Sequence, residues 1–256
     1  MKIELTLQGK KYSADLSKPL DISIPLSPNG PRAWYVDPVK IEPVRTDRFT
    51  GSVAEGGDVN FRDIHFNPHG HGTHTESVGH IDQEVTSVNS TLKQFFFLAR
   101  LITIEPKTLT DSLGEYRQSG DRIITREQIE ETLDQDECEA LVLRTLPNRD
   151  DKKSIEYSGT NPAYLEPEAL SFLRENGIKH LLLDLPSVDR EVDGGKLDAH
   201  RHFWFSGKAD DFECTITEMI FVDDNIVDGT YLLNLQTAPF ENDATPSRPI
   251  LFELND

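Results

Sequence analysis

A chain of 256 residues, 36% apolar and 28% charged, is long enough to bury a large core and too evenly composed to stay disordered. Its 26 basic and 45 acidic side chains leave a formal charge of -19, a field that repels phosphate backbones and anionic lipid. Nucleic acid and a membrane surface are therefore not expected as partners. Two cysteines, Cys138 and Cys214, cannot build a disulfide framework, and the longest apolar runs fall far short of a membrane span. The opening MKIELTLQGKKYSADL has no basic region followed by an apolar one. The expected compartment is the reducing cytoplasm, and residues 1–256 read as a single domain.

In chain order, Met1 to Leu7 alternates apolar and polar residues and reads as a strand. Lys18 to Pro43 is proline-rich, a long wrapping loop with extended pieces around Trp34 and Tyr35. Phe95 to Ile104 is apolar enough for a central strand. Thr125 with Gln128 three residues on forms a capping-box pattern, which starts a helix running to about Leu133. Asp134 to Glu137 and Asn148 to Lys153 read as solvated loops. Leu141 to Thr145 is a short strand. Pro167 suits the first turn of a helix that buries Leu170 and Leu173 and ends at Gly177. His180 to Leu185 reads as a buried strand. Thr215 to Val222, Thr230 to Gln236 and Ile250 to Leu254 follow as further strands. Strands alternating with helices and then strands alone predict an α/β fold with a substantial mixed or antiparallel part.

The chemistry concentrates in Asn67-Pro68-His69-Gly70-His71-Gly72-Thr73-His74-Thr75-Glu76-Ser77-Val78-Gly79-His80, which holds four of the eight histidines. On an extended chain His74 and Glu76 share a face, about 7 Å apart along the strand, and can share or bridge divalent ions. Gly70 and Gly72 let the backbone bend past such a centre. His80 lies just beyond, placed to move a proton. A second cluster, Asp198-Ala199-His200-Arg201-His202 with Glu218 later, offers one more imidazole and one more carboxylate. Nitrogen and oxygen donors without thiolate suit catalytic Zn, Mn or Fe over structural zinc. The plainer readings are a polar histidine-rich surface loop, a satisfied structural His200, a solvent-facing Glu218 and a packing role for Trp34. Gly194-Gly195-Lys196 reads as a turn.

These residues resemble the cyclase-type metal-dependent hydrolases, a family that includes bacterial kynurenine formamidases and isatin hydrolases. Gly72-Thr73-His74-x-Glu76-x-x-x-His80 is similar to their HxGTHxDxPxH signature. Asp21-Ile22-Ser23-x-Pro25-Leu26 with Trp34, Leu143-Arg144-Thr145, Leu183-Asp184-x-Pro186-Ser187-Val188-Asp189, Asp198-Ala199-His200 and Pro246-x-Arg248-Pro249 resemble further motifs in the same order. The chain departs from the signature at Gly70, where the family has its first histidine, so His69 or His71 would have to replace it. It also carries Glu76 for aspartate and Val78 for proline. Extra residues between His200 and Glu218 leave Glu213 as a rival to Glu218.

The resemblance implies a swivelling β/β/α fold with a mixed sheet or barrel-like β core and a few packed helices. It implies His74, Glu76, His200, Glu218 and His69 as ligands of one or two divalent ions, Zn or Mn. It further implies His80 as general acid/base, Trp34 as a substrate contact, and a homo-oligomer, dimer or tetramer. The activity it implies is hydrolysis of a small amide, N-formyl arylamine or cyclic imide, with lactone or ester opening as the nearest variant. The competing expectation is a non-catalytic small-molecule binding protein whose metal site is degraded at Gly70. It would be favoured if both His69 and His71 faced away from His74 and Glu76. A structural protein that keeps only the fold is a third expectation.

Overall fold

The computed structural model describes residues 1–7, 9–133 and 138–255. Its main sheet has eleven strands, numbered here in chain order. They are β1 (Lys2–Leu7), β2 (Lys10–Asp15), β3 (Leu20–Asp21), β4 (His74–Ser77), β5 (Phe96–Ile104) and β6 (Ala140–Thr145), then β7 (His180–Leu183), β8 (Thr215–Glu218), β9 (Gly229–Asn234), β10 (Ala244–Pro246) and β11 (Ile250–Asn255). Their spatial order is β1-β2-β11-β9-β5-β6-β7-β8-β4-β10, with β3 paired to β11. The centre, β5 to β8, is parallel; β9 on one side and β4 on the other run antiparallel to it, and β10, antiparallel to β4, points the same way as the centre. The expected mixed α/β fold is the fold observed.

The parallel strands read as unbroken apolar runs because both of their faces are covered. Leu141, Leu143, Leu181, Leu183 and Ile216 point to one face, where they pack with Leu170, Leu173, Phe203 and Trp204 from the helices. The alternate residues Ala140, Val142 and Leu182 point to the other face, against Val88, Leu92, Ile220 and Val222. Among the described residues the α-helices are α1 (Val88–Thr91), α2 (Arg126–Thr132), α3 (Pro167–Glu175) and α4 (Asp198–Trp204). The capping box at Thr125 and Gln128 is present, with each side chain meeting the other's backbone. Pro167 opens α3, and Gly177 follows its end at φ 83°.

Three expectations need correction. Trp34 and Tyr35 are not extended. They sit in a turn with φ of 61° and 57°, left-handed values unusual for aromatic residues. The strand expected over Thr215 to Val222 stops at Glu218, because Met219 turns left-handed at φ 52°. The loop from Asn148 to Lys153 is not wholly solvated: Lys152 Nζ lies 2.7 Å from the fully buried Asp184 carboxylate and also reaches Thr145. The solvated loop expected over Asp134 to Glu137 lies outside the described residues.

Cys138 and Cys214 are both buried, neither is in a disulfide, and burial raises the Cys214 thiol to about 12. Gly194 and Gly195 form the expected turn, both at positive φ. Among the described residues no helix is long and apolar enough to cross a membrane.

Candidate metal centre

The centre lies where β4 meets β8 and β10. In the sheet register His74 stands opposite Glu218 on β8 and Pro246 on β10, while Glu76 stands opposite Ile216 and Ala244. The period of two places His74 and Glu76 on the same side of β4, as the sequence requires. All four residues of β4 are buried. The approach to the strand is tight. Gly70 has a neighbour, Val36, whose methyl would lie 2.8 Å from any added Cβ, and Gly72 turns at φ 59°. Thr73 clamps the strand's start by donating to the Met219 carbonyl (2.6 Å) and accepting from the Ile24 amide (2.7 Å).

His69 and His71 part company here. His69 reaches into the centre, with Nδ1 3.0 Å from Glu76 Oε2 and Nε2 2.7 Å from Asp243 Oδ2. His71 is buried in the loop itself. Its Nδ1 lies 2.9 Å from the Asn67 amide and its Nε2 2.8 Å from the Asp37 carbonyl. Of the two candidates for the missing first histidine, only His69 faces His74 and Glu76.

His200 arrives from α4, a helix whose first turn is capped from a distance. The Asp189 carboxylate accepts from the amides of Ala199 (2.8 Å) and His200 (3.2 Å), and lies 2.6 Å from His200 Nδ1. The other ring nitrogen, Nε2, lies 3.1 Å from Glu76 Oε1. Glu76 is thus gripped between two imidazoles from distant stretches. His80 follows in a short helical turn, its Nε2 4.0 Å from Glu76 Oε2 and its Nδ1 3.7 Å from Asp243 Oδ2. Its ring lies 4.2 Å from that of His69 and 5.4 Å from that of His200.

Glu218 closes the deep end, with Oε2 3.4 Å from His74 Nε2. Its rival Glu213 is exposed in a separate turn beside Lys179. Trp34 is half-buried and packs with Ala33, Tyr157 and Met219. Met219 follows Glu218 in the chain.

The residues fit a divalent ion. His74 Nε2 and Glu218 Oε1 are buried polar atoms with no hydrogen-bond partner among the described residues, and such atoms in a native site call for an explanation. Three overlapping groups, His69/His80/Asp243, His69/His74/Glu76 and Glu76/His80/His200, each bring candidate ligand atoms within 4.8 Å of one another. The donors are imidazole nitrogen and carboxylate oxygen, the set that suits catalytic Zn or Mn.

The electrostatics follow from burial opposed by pairing. Burial disfavours the His69 cation, but its carboxylate partners Asp243 and Glu76 outweigh this and raise it to about 10. His200 is buried too, and Asp189 and Glu76 likewise hold it well above the ordinary histidine value. Burial works against the Glu76 carboxylate, yet His80, His200 and His69 keep it well below the usual range. Glu218 goes the other way, raised by burial and by the nearby charge of Glu76. Carboxylates pushed apart in this way are a mark of functional sites.

Two participants escaped the sequence reading. Asp189 stood inside a quoted motif without an assigned role. Asp243 carried no signal at all, since only the pairing of β10 with β4 brings it beside His69.

The Cyclase family model matches residues 15–190 of this chain. A kynurenine formamidase of Bacillus cereus is 28% identical over 235 residues, covering 91% of this chain and 96% of its own. A solved structure described as a potential metal-dependent hydrolase with cyclase activity superposes with a TM-score of 0.65 at 18% identity, covering 93% of this chain and 99% of its own. Isatin hydrolase A from Labrenzia aggregata, solved with benzyl benzoate, gives a TM-score of 0.64 at 14% identity, with 92% and 93% covered.

Proposed function

We propose that this chain, which belongs to the Cyclase family, is a metal-dependent hydrolase of a carbon–nitrogen bond in a small amide, N-formyl arylamine or cyclic imide. The observation that supports the reading is the contact of His69 and His200 with Glu76 and of His74 with Glu218, where His74 Nε2 is buried without a hydrogen-bond partner among the described residues. Those five side chains would hold one or two divalent ions, Zn or Mn. A divalent ion held there would supply a Lewis acid for the carbonyl oxygen and would lower the pKa of water toward about 7.

The remaining chemistry belongs to the protein. His80 is 28% exposed at its side chain, against 1% for Glu76, so it stands at the solvent side of the centre. From there it takes a proton from the attacking water and returns one to the departing nitrogen. Asp243, facing His80 Nδ1, steadies the ring. Trp34 is the proposed substrate contact. A homo-oligomer, dimer or tetramer, working on a small molecule in the cytoplasm completes the reading.

The binding-protein alternative needed His69 and His71 both turned away. The inward position of His69 removes that support. The test is a screen of N-formylkynurenine, isatin and simple aryl formamides with added Zn or Mn, comparing wild type with His74→Ala. Turnover by wild type alone is expected. Equal turnover by both proteins would take His74 out of the mechanism.

A further inference from the structure

Each neutral imidazole has one N–H and one lone pair, so a histidine that holds a metal through one nitrogen must donate its proton from the other. The acceptor for that proton therefore decides which nitrogen faces the ion. In His69 the strong carboxylate contact of Nε2 is with Asp243, at 2.7 Å, and Nδ1 faces Glu76. In His200 the arrangement is reversed: Nδ1 lies 2.6 Å from Asp189, and Nε2 faces Glu76. In His74, Nδ1 donates to the Gly72 carbonyl at 3.1 Å, leaving Nε2 toward Glu218.

We propose that Asp243 and Asp189 are positioning residues that fix opposite ring nitrogens toward the centre, Nδ1 of His69 and Nε2 of His200. This rests on the metal-site reading above.

Both carboxylates are themselves held. Asp189 is fixed by two amides of the α4 first turn. Asp243 is fixed by the sheet, since its carbonyl accepts from the Ser77 amide at 2.9 Å and the next residue, Ala244, pairs with Glu76. The Asp189 carboxylate cannot rotate away without breaking its two amide hydrogen bonds, whereas for Asp243 the sheet holds the main chain and the His69 contact orients the carboxylate. Each acts as an acceptor behind a ligand, and the centre takes one imidazole nitrogen from each side of Glu76. Asp243 Oδ2 also faces His80 Nδ1, at 3.7 Å, so the same carboxylate turns His80 Nε2 inward.

The test uses the full chain labelled with ¹⁵N at histidine and titrated with Zn²⁺, read by long-range proton–nitrogen correlation spectra and by competition with a chelator. His69→Gln and His200→Gln assign the signals. Zn²⁺ should perturb Nδ1 of His69 and Nε2 of His200, while the opposite nitrogens keep their protons. Asp243→Asn keeps the shape and an acceptor but removes the charge. It should weaken Zn²⁺ binding by about 10–100-fold and disturb the signatures of His69 and His80 while leaving that of His200 unchanged. Asp189→Asn should do the same for His200. Because Asp189 also caps α4, Asp243→Asn is the deciding variant.

Perturbation of the same nitrogen in both rings, or unchanged Zn²⁺ affinity in Asp243→Asn, overturns the proposal. If Zn²⁺ binding is lost in His74→Ala yet untouched in Asp243→Asn, only the positioning proposal falls. If wild type takes up no Zn²⁺, the metal-site reading falls with it.

Discussion

Glu76 and His200, 124 residues apart in the chain, meet at 3.1 Å, and this contact ties the β4 strand to the α4 helix at the heart of the centre. The Glu76 carboxylate is almost wholly buried and faces three imidazoles, of His69, His80 and His200. Glu76→Gln keeps the volume but leaves a neutral amide with two donors among rings that need an acceptor. It should reduce bound Zn or Mn to a trace by elemental analysis and lower kcat/KM on an aryl formamide by at least about 100-fold. Metal content equal to wild type would show that Glu76 is not a ligand.

The contrast between His69 and His71 gives a second prediction. His69→Ala should cost metal affinity and activity. His71→Ala should instead cost stability, because it strands the Asn67 amide and the Asp37 carbonyl inside the loop. The expected loss is about 1–3 kcal/mol per stranded group, seen in denaturant unfolding, with metal content retained. The reverse pattern would exchange the two assignments.

How far the sequence could be read depends on whether a cause was local. The β5 strand, the Thr125 capping box and the common face of His74 and Glu76 rest on neighbours within a few residues, and each was legible. Helix α4 was not, although His200 itself was singled out. Its N-terminal flank, Leu197, is left-handed at φ 51° and carries no capping side chain, and the cap comes from Asp189, ten residues from Ala199. Asp243 was invisible for the same reason. Its role depends on strand pairing across more than 160 residues. The choice between His69 and His71 turned on loop packing against Val36 and Asp37, which no spacing rule encodes.

Buried His180 predicts the acid limb of stability. Its ring contacts Thr215 Oγ1 at 2.9 Å and the Phe97 ring at 4.1 Å, and burial, with Lys179 and Arg174 nearby, lowers it to about 3. The unfolded chain binds this proton near pH 6.5, while the folded chain refuses it until about 3. The contribution is therefore complete above pH 6.5 and is lost as pH falls through that window. Between pH 6 and pH 4 wild type should lose about 2–3 kcal/mol relative to His180→Gln, measured by urea unfolding across pH. Parallel curves for the two proteins would show that His180 takes up its proton in the folded state.

The Lys152–Asp184 pair should be a large structural contributor by a different route. Asp184 is fully buried, and burial raises its carboxyl even though Lys152 and Thr145 stabilise the charge. Lys152→Met removes the only cation in contact with it among the described residues and should destabilise the protein by about 3–5 kcal/mol, whereas Lys152→Met with Asp184→Leu should recover much of that loss. A double variant no more stable than the single one would show that the carboxylate serves Thr145 more than Lys152.

On the proposed reading, His80 moves protons and does not hold the metal. It is the most exposed imidazole of the centre, and its nitrogens stand 4.0 Å from Glu76 and 3.7 Å from Asp243, farther than the contacts made by His69 and His200. A ring at that distance contributes little to a ligand sphere but can reach a substrate entering from solvent. His80→Gln should therefore keep most of the Zn or Mn while kcat falls by about 10²–10⁴-fold, the range for losing a general acid/base, with KM changed far less. Substrates with a more acidic leaving amine need less help with the departing proton, so the deficit should shrink along a series of ring-substituted formanilides. A deficit constant across that series would assign His80 to the attack on the carbonyl alone. Metal lost in parallel with activity would move His80 from proton transfer into the ligand set.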